Sequence, residues 1–384
     1  MHNFKTLLIS LTGTESHKLL REPGKGSLSI GTRGESEGKY DLWVEPHQKL
    51  NWHAFDKLHT PSGYPWPRFF TYSGSDLGFI AWSKTRPIEI FEWYPTTLLV
   101  ANFNAAAISH LYIEVNNTHL DLTLDERIID LHLAGNLAQI HLNQSSTIKY
   151  LSFSPKYSDM ESYQLPQYPS LANTTHLSIA ALPPLGKGFD CRSLLQFSGL
   201  TTLNLWGSML HLDCLASLTH LQALGLRYMP ELDTLPALST WQNLSHFIGW
   251  NIEATAGKAL QQQLKLAQKL ELKKYSKSSS VAHLRSKSWF IAEYALPFGT
   301  WENKNAKLAT KAYKACLKAI QKASTQQEVQ GAIAVFISVI NQLPAIETSE
   351  REDVAAAVDQ LVAAAKFQID PKEAQAWFDA VRDF

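Results

Sequence analysis

Four apolar triplets stand 20 residues apart in the middle of this chain: Ile88-x-x-Phe91-x-Trp93, Ile108-x-x-Leu111-x-Ile113, Ile128-x-x-Leu131-x-Leu133 and Ile148-x-x-Leu151-x-Phe153. The register continues as Thr174/Leu177/Ile179, Leu200/Leu203/Leu205, Leu221/Leu224/Leu226 and Leu244/Phe247, at steps of 26, 26, 21 and 23. A period of this length marks a unit that buries its apolar side only by stacking on its neighbours, and it predicts a solenoid. An ordinary antiparallel sheet accounts for each apolar pair two residues apart, but not for the equal steps. A stacked array presents a long ordered surface, which favours binding over chemistry.

The second and third apolar positions of each triplet, such as Leu111 and Ile113, are two apart and share one side of a strand. The residue between them, Tyr112, points the other way. Two copies extend to an Asn at the ninth position, Asn116 and Asn136. An inward Asn there satisfies backbone groups left free by a bend. With this pattern, and with Leu212-x-x-Leu215-x-x-Leu218-x-x-Leu221-x-x-Leu224-x-Leu226, the stretch from 88 to about 252 resembles the leucine-rich-repeat family. The resemblance implies a concave sheet that serves as the binding face. Thr96, Lys156, Leu182, Ser208, Met229 and Ile252 replace the Asn elsewhere, and Gly249 replaces the last inward apolar residue. Ser154 to Asn173, rich in Tyr and Pro, is expected to loop out.

The expected fold class is α+β: a leucine-rich-repeat solenoid over 88–275, an N-terminal β-rich cap over 1–87 and a C-terminal helical bundle over 281–384. The N-terminal region alternates like half-buried strands at Tyr40–Val44. It is rich in large aromatics, including Trp43, Trp52, Trp66, Phe69, Phe70 and Trp82, which suit a core or a ligand groove. Residues 6–11 read as a buried strand rather than a signal segment. Ala254 to Tyr275 reads as a closing helix and Lys277–Ser280 as a linker. Helices are predicted near 303–323, 325–342, 349–367 and 371–383. Thr325-x-x-Glu328 and Ser349-x-x-Glu352 form capping boxes, and Asp370-Pro371 makes a start signal. Residues 345–353 are similar to the helical tails of some bacterial leucine-rich-repeat proteins.

The outward strand positions form three columns. Among them the partner-binding candidates are Glu92, Tyr94, His110, Tyr112, Glu114, His132, Asn204, Trp206, Arg227, His246 and Trp250. Trp206, Arg227 and Trp250 end the third column, and Trp and Arg most often dominate binding energy. The competing expectation is that the C-terminal helices cover the two tryptophans. His110 and His132 fall on adjacent strands, but nothing in the spacing forces the three or four ligands that zinc requires. Clustered histidines would make binding sensitive to mild acid.

Formal net charge is zero over 384 residues, so no global field recruits nucleic acid or membrane. The tail is polarised: Lys265–Lys322 holds 13 basic residues against 3 acidic ones, and Ala323–Phe384 holds 10 acidic against 4 basic. Lys304, Lys307, Lys311, Lys314, Lys318 and Lys322 share a helix face, with Leu308, Ala312, Cys316 and Ala319 opposite. No aromatic or Arg interleaves this stripe, which argues against nucleic acid. Three unpaired cysteines, Cys191, Cys214 and Cys316, fit a reducing cytoplasm. Gly24-Lys25-Gly26-Ser27 lacks phosphate-loop spacing, and no nucleophile-elbow or zinc-protease motif occurs. The expectation is a non-enzymatic, cofactor-free, cytoplasmic protein that binds a protein partner on its outward sheet face; an antitoxin-like or effector-binding role is one such use. An enzyme with an unrecognised active site, or an assembly protein docking through the basic helix, are the alternatives.

Overall fold

A computed structural model describes residues 5–22, 24–33, 40–143, 148–156, 162–182, 188–270, 275–294, 298, 301, 303–344, 346, 348–366 and 368–383. The chain divides into two units, Met1–Lys287 and Ser288–Phe384.

The first unit is organised by one twelve-stranded sheet in which every neighbouring pair is parallel. Its order is Leu42–Val44, Ser27–Thr32, Phe69–Ser73, Ile88–Tyr94, Ile108–Val115, Asp130–Gly135, Tyr150–Pro155, His176–Ala181, Thr202–Gly207, Ala223–Arg227, His246–Trp250, Ser280–Ala282. Two short parallel sheets form in the connections: Leu99–Asn102, Leu120–Thr123 and Ile140–Leu142 in one, Ser162–Tyr163, Gly188–Asp190 and Met209–Leu210 in the other. Helices Gly78–Ser83 and Ala254–Lys269 and several short 3₁₀ turns complete the connections.

This sheet corrects the expected leucine-rich-repeat solenoid with a separate cap. Three of its strands, Ser27–Thr32, Leu42–Val44 and Phe69–Ser73, come from the region assigned to the cap. A fourth, Ser280–Ala282, begins in the expected linker. The architecture is α+β, with a large parallel sheet flanked by helical segments. The triplets specify adjacent, in-register parallel strands, and that requirement does not single out the coil of one family. The family's inward asparagines are also not realised. Asn116 is exposed, and the Asn136 side chain makes no capping bond to the turn that follows it.

Register explains the core. Leu111, Leu131, Leu151, Leu177, Leu203, Leu224 and Phe247 occupy one row, and Ile113, Leu133, Phe153, Ile179, Leu205 and Leu226 the next; all are buried. Gly249 leaves a gap in the second row, and Ile252 fills it: a Cβ on Gly249 would meet Ile252 Cδ1 at 2.9 Å. At the N-terminal end the row widens into an aromatic cluster. Phe79 stacks on Phe91 at 4.2 Å, and Trp52 meets Tyr72 edge-on at 5.3 Å. Each buried indole N–H finds an acceptor: Trp52 on Asp76 (2.7 Å), Trp82 on Asp56 (2.7 Å), Trp93 on the Gly74 carbonyl (2.9 Å). These rings are buried core, and of them Trp52 and Trp82 also border a surface pocket. The 154–173 stretch does not loop out where it is described. Tyr168 stacks on Phe153 at 5.5 Å and donates to the Leu137 carbonyl at 2.8 Å. The expected buried strand at 6–11 is instead a hairpin, Lys5–Ile9 with His17–Arg21, on which Leu8 and Leu20 are exposed.

The second unit bears out the C-terminal helices: Asn303–Ile320, Gln326–Ile340, Thr348–Ala363 and Pro371–Val381, preceded by Lys287–Tyr294. Thr325 and Glu328 make the capping box, and the Asp370 carboxylate accepts from the Lys372 amide. The side chain of Ser349 and residues 345 and 347 lie outside the described residues. The core contains Tyr313, Cys316, Ile320, Ile333, Phe336, Val358 and Phe378. The predicted apolar face of the lysine-bearing helix is rotated. Asn305 and Tyr313 turn inward to bond the Pro344 carbonyl and the Gln360 amide oxygen (2.9 and 3.1 Å), which leaves Leu308 43 % exposed.

Two glycines give a contrast that tests this packing. Gly207 has φ +97°, and a Cβ there would lie 1.8 Å from the Ala181 carbonyl oxygen. Gly331 lies in a helix with open space around it. Gly207→Ala is expected to destabilise by about 3 kcal/mol, and Gly331→Ala to stabilise by about 0.5–1 kcal/mol, in urea unfolding. Equal effects would contradict the register assigned to the Thr202–Gly207 strand.

Candidate functional site

Alternation along the strands leaves one side chain in two on the outer face, and the ladder sets these in columns. Ile90, His110, Asp130, Tyr150, His176, Thr202, Ala223 and His246 are in register, as are Glu92, Tyr112, His132, Ser152, Ser178, Asn204, Gly225 and Ile248. In the third column Glu114, Ala134 and Ser154 follow one another, and Ala180, Trp206, Arg227 and Trp250 do the same. Every sequence candidate therefore sits at an outward position of this sheet.

Two groups of candidates emerge, separated by small side chains. The first is a hydrogen-bonded aromatic cluster. Tyr94 lies 5.7 Å from Tyr112, and Tyr112 meets His132 edge-on at 4.7 Å. The Tyr112 hydroxyl donates to Glu114 Oε2 (2.8 Å), and Lys156 forms an ion pair with the same carboxylate. His132 Nε2 shares a hydrogen bond with Ser154 Oγ (2.8 Å), and Thr71 donates to Glu92 (3.0 Å). Burial, with Glu92 and Glu114 nearby, pushes the Tyr94 phenol up to about 12. Burial and then the Glu114 hydrogen bond raise Tyr112 as well. Burial alone would lift the Glu114 carboxyl, but hydrogen bonds from Lys156 and Tyr112 outweigh it and hold it below the ordinary glutamate range. These phenols stay neutral at physiological pH, and the Glu114 carboxylate stays charged.

The second group is the aromatic end. Arg227 lies 5.7 Å from the Trp206 ring and beside Trp250 in the ladder. Its Nε is buried and has no hydrogen-bond partner among the described residues, and no described carboxylate pairs with it. Trp250, 36 % exposed, packs against His283, ring centroids 3.8 Å apart and planes tilted by 39°. Cover for one of its faces thus comes from the segment following the twelfth strand. Asn204 leans over Gly225, where a Cβ would meet its Oδ1 at 2.3 Å. His246 Nδ1 bonds Ser276 Oγ (2.7 Å).

Between the groups, Ser152, Ser154, Ser178 and Ala180 form a floor of small side chains two strands wide. The flanking strands, Asp130–Gly135 and Thr202–Gly207, are three ladder spacings apart, roughly 14 Å. Tyr150 and His176, edge-on at 5.0 Å, stand at the N-terminal ends of the floor strands. The sequence contained this run of small residues in its outward columns; their meaning depends on the bulky walls that the ladder places either side. His283 and the unpartnered guanidinium nitrogen had no signal in the sequence.

His110 and His132 do not meet. His110 faces Asp130 across the ladder (3.5 Å), and His132 packs on Tyr112. Among the described residues no group of three or more His, Cys, Asp or Glu side chains could hold a metal. In the second unit Lys314 pairs with Glu293 (2.8 Å), while Lys304, Lys307, Lys311 and Lys318 are exposed. Burial pushes the Cys316 thiol up to about 12, far from a reactive thiolate. No helix among the described residues is long and apolar enough to cross a membrane. Compared with known proteins, the chain matches no family model, no curated protein and no solved structure.

Burial holds the His132 imidazole below its ordinary value, against the pull of Asp130 and Glu114, and burial with the Lys149 charge lowers His176. The unfolded chain therefore takes up these protons first as pH falls. The stability they contribute is complete above the ordinary value of 6.5 and is lost from there toward the depressed values. His132→Gln is expected to flatten the fall of unfolding free energy with acidification by up to about one proton, or ~1.4 kcal/mol per pH unit. Identical slopes in urea unfolding from neutral to mildly acidic pH would exclude His132 as a source.

Proposed function

We propose that this chain is a non-catalytic, cytoplasmic binding protein that takes one segment of a partner protein into the small-floored trough on its outer sheet face. The observation that carries this reading is Arg227, whose Nε is buried without a partner beside Trp206 and the partly exposed Trp250. The Nε itself is closed to solvent, so an incoming acceptor meets the terminal guanidinium nitrogens, with which no described carboxylate pairs. A planar guanidinium framed by indoles suits a carboxylate, so the partner segment carries an Asp or Glu at this end. Two tryptophans and an arginine supply the type of side chain on which binding energy concentrates. The wall strands stand roughly 14 Å apart centre to centre, a spacing that suits a single polypeptide segment. Free thiols at Cys191, Cys214 and Cys316 favour a reducing compartment.

The test is affinity capture by the full chain with a photo-crosslinker at Ser178, followed by titration of the captured protein. Arg227→Ala and Trp250→Ala are each expected to weaken it by roughly thirtyfold, the effect of losing a ~2 kcal/mol anchor, while Lys311→Glu leaves it unchanged. Unchanged affinity in both sheet variants would sink the trough as the site. Loss only with Lys311→Glu would move binding to the lysine-bearing helix.

A further inference from the structure

The N-terminal hairpin breaks a local rule. Lys5 and Arg21 face each other across the antiparallel pair. They lie on the side that carries Leu7, Ile9 and Leu19, of which Ile9 and Leu19 are buried, while Leu8 and Leu20 are exposed on the other side. Like charges directly opposed on one hairpin face disfavour its pairing. Such a conflict, with cations on the side of the buried residues and leucines exposed on the other, is expected where a site rather than the fold sets the residues.

The inward side holds a pocket of about 440 Å³ lined by Lys5, Arg21, Lys25, Arg68, Thr60 and one acid, Glu22, among others. Lys25 pairs with Asp41 (2.5 Å) and Arg68 with Glu89 (3.2 Å). Among the described residues no acid pairs with Lys5 or Arg21 within ion-pair distance. The Arg21 guanidinium lies 4.8 Å over Trp66, and the Trp66 indole N–H donates to the Lys25 carbonyl at 2.6 Å. That indole is only 3 % exposed, so it fixes the hairpin end, the Gly24–Gly26 turn and the segment before Arg68 around one ring. Thr60 Oγ1 accepts from the Tyr64 amide (3.1 Å), which leaves its own proton to donate.

We propose that this pocket binds the phosphate group of a small phosphorylated metabolite, held by Lys5, Arg21, Arg68 and the Thr60 hydroxyl. A dianion between Lys5 and Arg21 turns their repulsion into attraction. A guanidinium seated over an indole presents its N–H fork to two phosphate oxygens. The volume suits a small ligand. The Trp66 face is already taken by Arg21, so the pocket has no free aromatic face on which to stack a nucleobase, and a sugar phosphate is favoured over a nucleotide.

Isothermal titration of inorganic phosphate, glucose 6-phosphate and AMP into the full chain, with melting curves alongside, tests this. Phosphate and glucose 6-phosphate are expected to bind one to one and to raise Tm, and Lys5→Gln and Arg68→Gln, both surface changes, to weaken binding by about tenfold each. Lys5→Glu is expected to raise Tm without phosphate, by removing the like-charge pair, and to abolish the rise that phosphate causes. Absence of saturable heat up to about 10 mM phosphate would overturn the proposal. So would binding that persists in both Gln variants, or AMP binding more tightly than glucose 6-phosphate.

Discussion

The structure of the first unit depends on the parallel ladder that locks each strand to the next without a slip of one residue. A slip of one would turn every inward leucine outward and every outward tyrosine or histidine inward. Because two buried side chains per strand repeat through Leu111, Leu131, Leu151, Leu177, Leu203 and Leu224, the correct register is favoured at each step. The outer face inherits its order from that constraint. Tyr112 stands beside His132, and Trp206 beside Arg227, because the leucines next to them are fixed.

The two faces are therefore specified differently. Inside, volume and hydrophobicity decide, and an irregularity such as Gly249 is absorbed by a neighbour, Ile252. Outside, hydrogen bonds and charge decide. Glu114 is held by Tyr112 and Lys156, and its low pKa follows from those two bonds rather than from solvent. Arg227 has no such arrangement for its Nε. The outer face is therefore saturated at one end and unsatisfied at the other, an asymmetry the apolar rows beneath do not share.

Strand positions and their facing were legible in the sequence because spacing encodes them directly: apolar residues two apart, returned at intervals of 20–26, place Leu111 and Leu131 side by side. The extent of the sheet was not. Ser27–Thr32, Leu42–Val44 and Phe69–Ser73 join it, yet their surroundings lack the interval, so even the alternation at Tyr40–Val44 gave no sign that these strands extend the same ladder. Family membership could not be read from spacing either, since Asn116 and Asn136 have the right positions without the inward role. In the helical unit, capping signals such as Thr325/Glu328 are local and were readable, whereas the rotation of the 303–320 helix follows from partners far along the chain, Pro344 and Gln360. Of the outer face, the identity of Trp206, Arg227 and Trp250 was visible, but His283 reaches Trp250 from 33 positions away and only the folded chain reveals it.

Both ends of the ladder finish in strands of three residues, Leu42–Val44 and Ser280–Ala282. Each offers few unpaired amides and carbonyls to a stray β-segment, whereas the interior strands run to eight residues, as in Ile108–Val115. A ladder of uniform length would end in two sticky templates and invite fibre growth from either side. Margins tapered in this way leave little template on which a second sheet could extend the ladder.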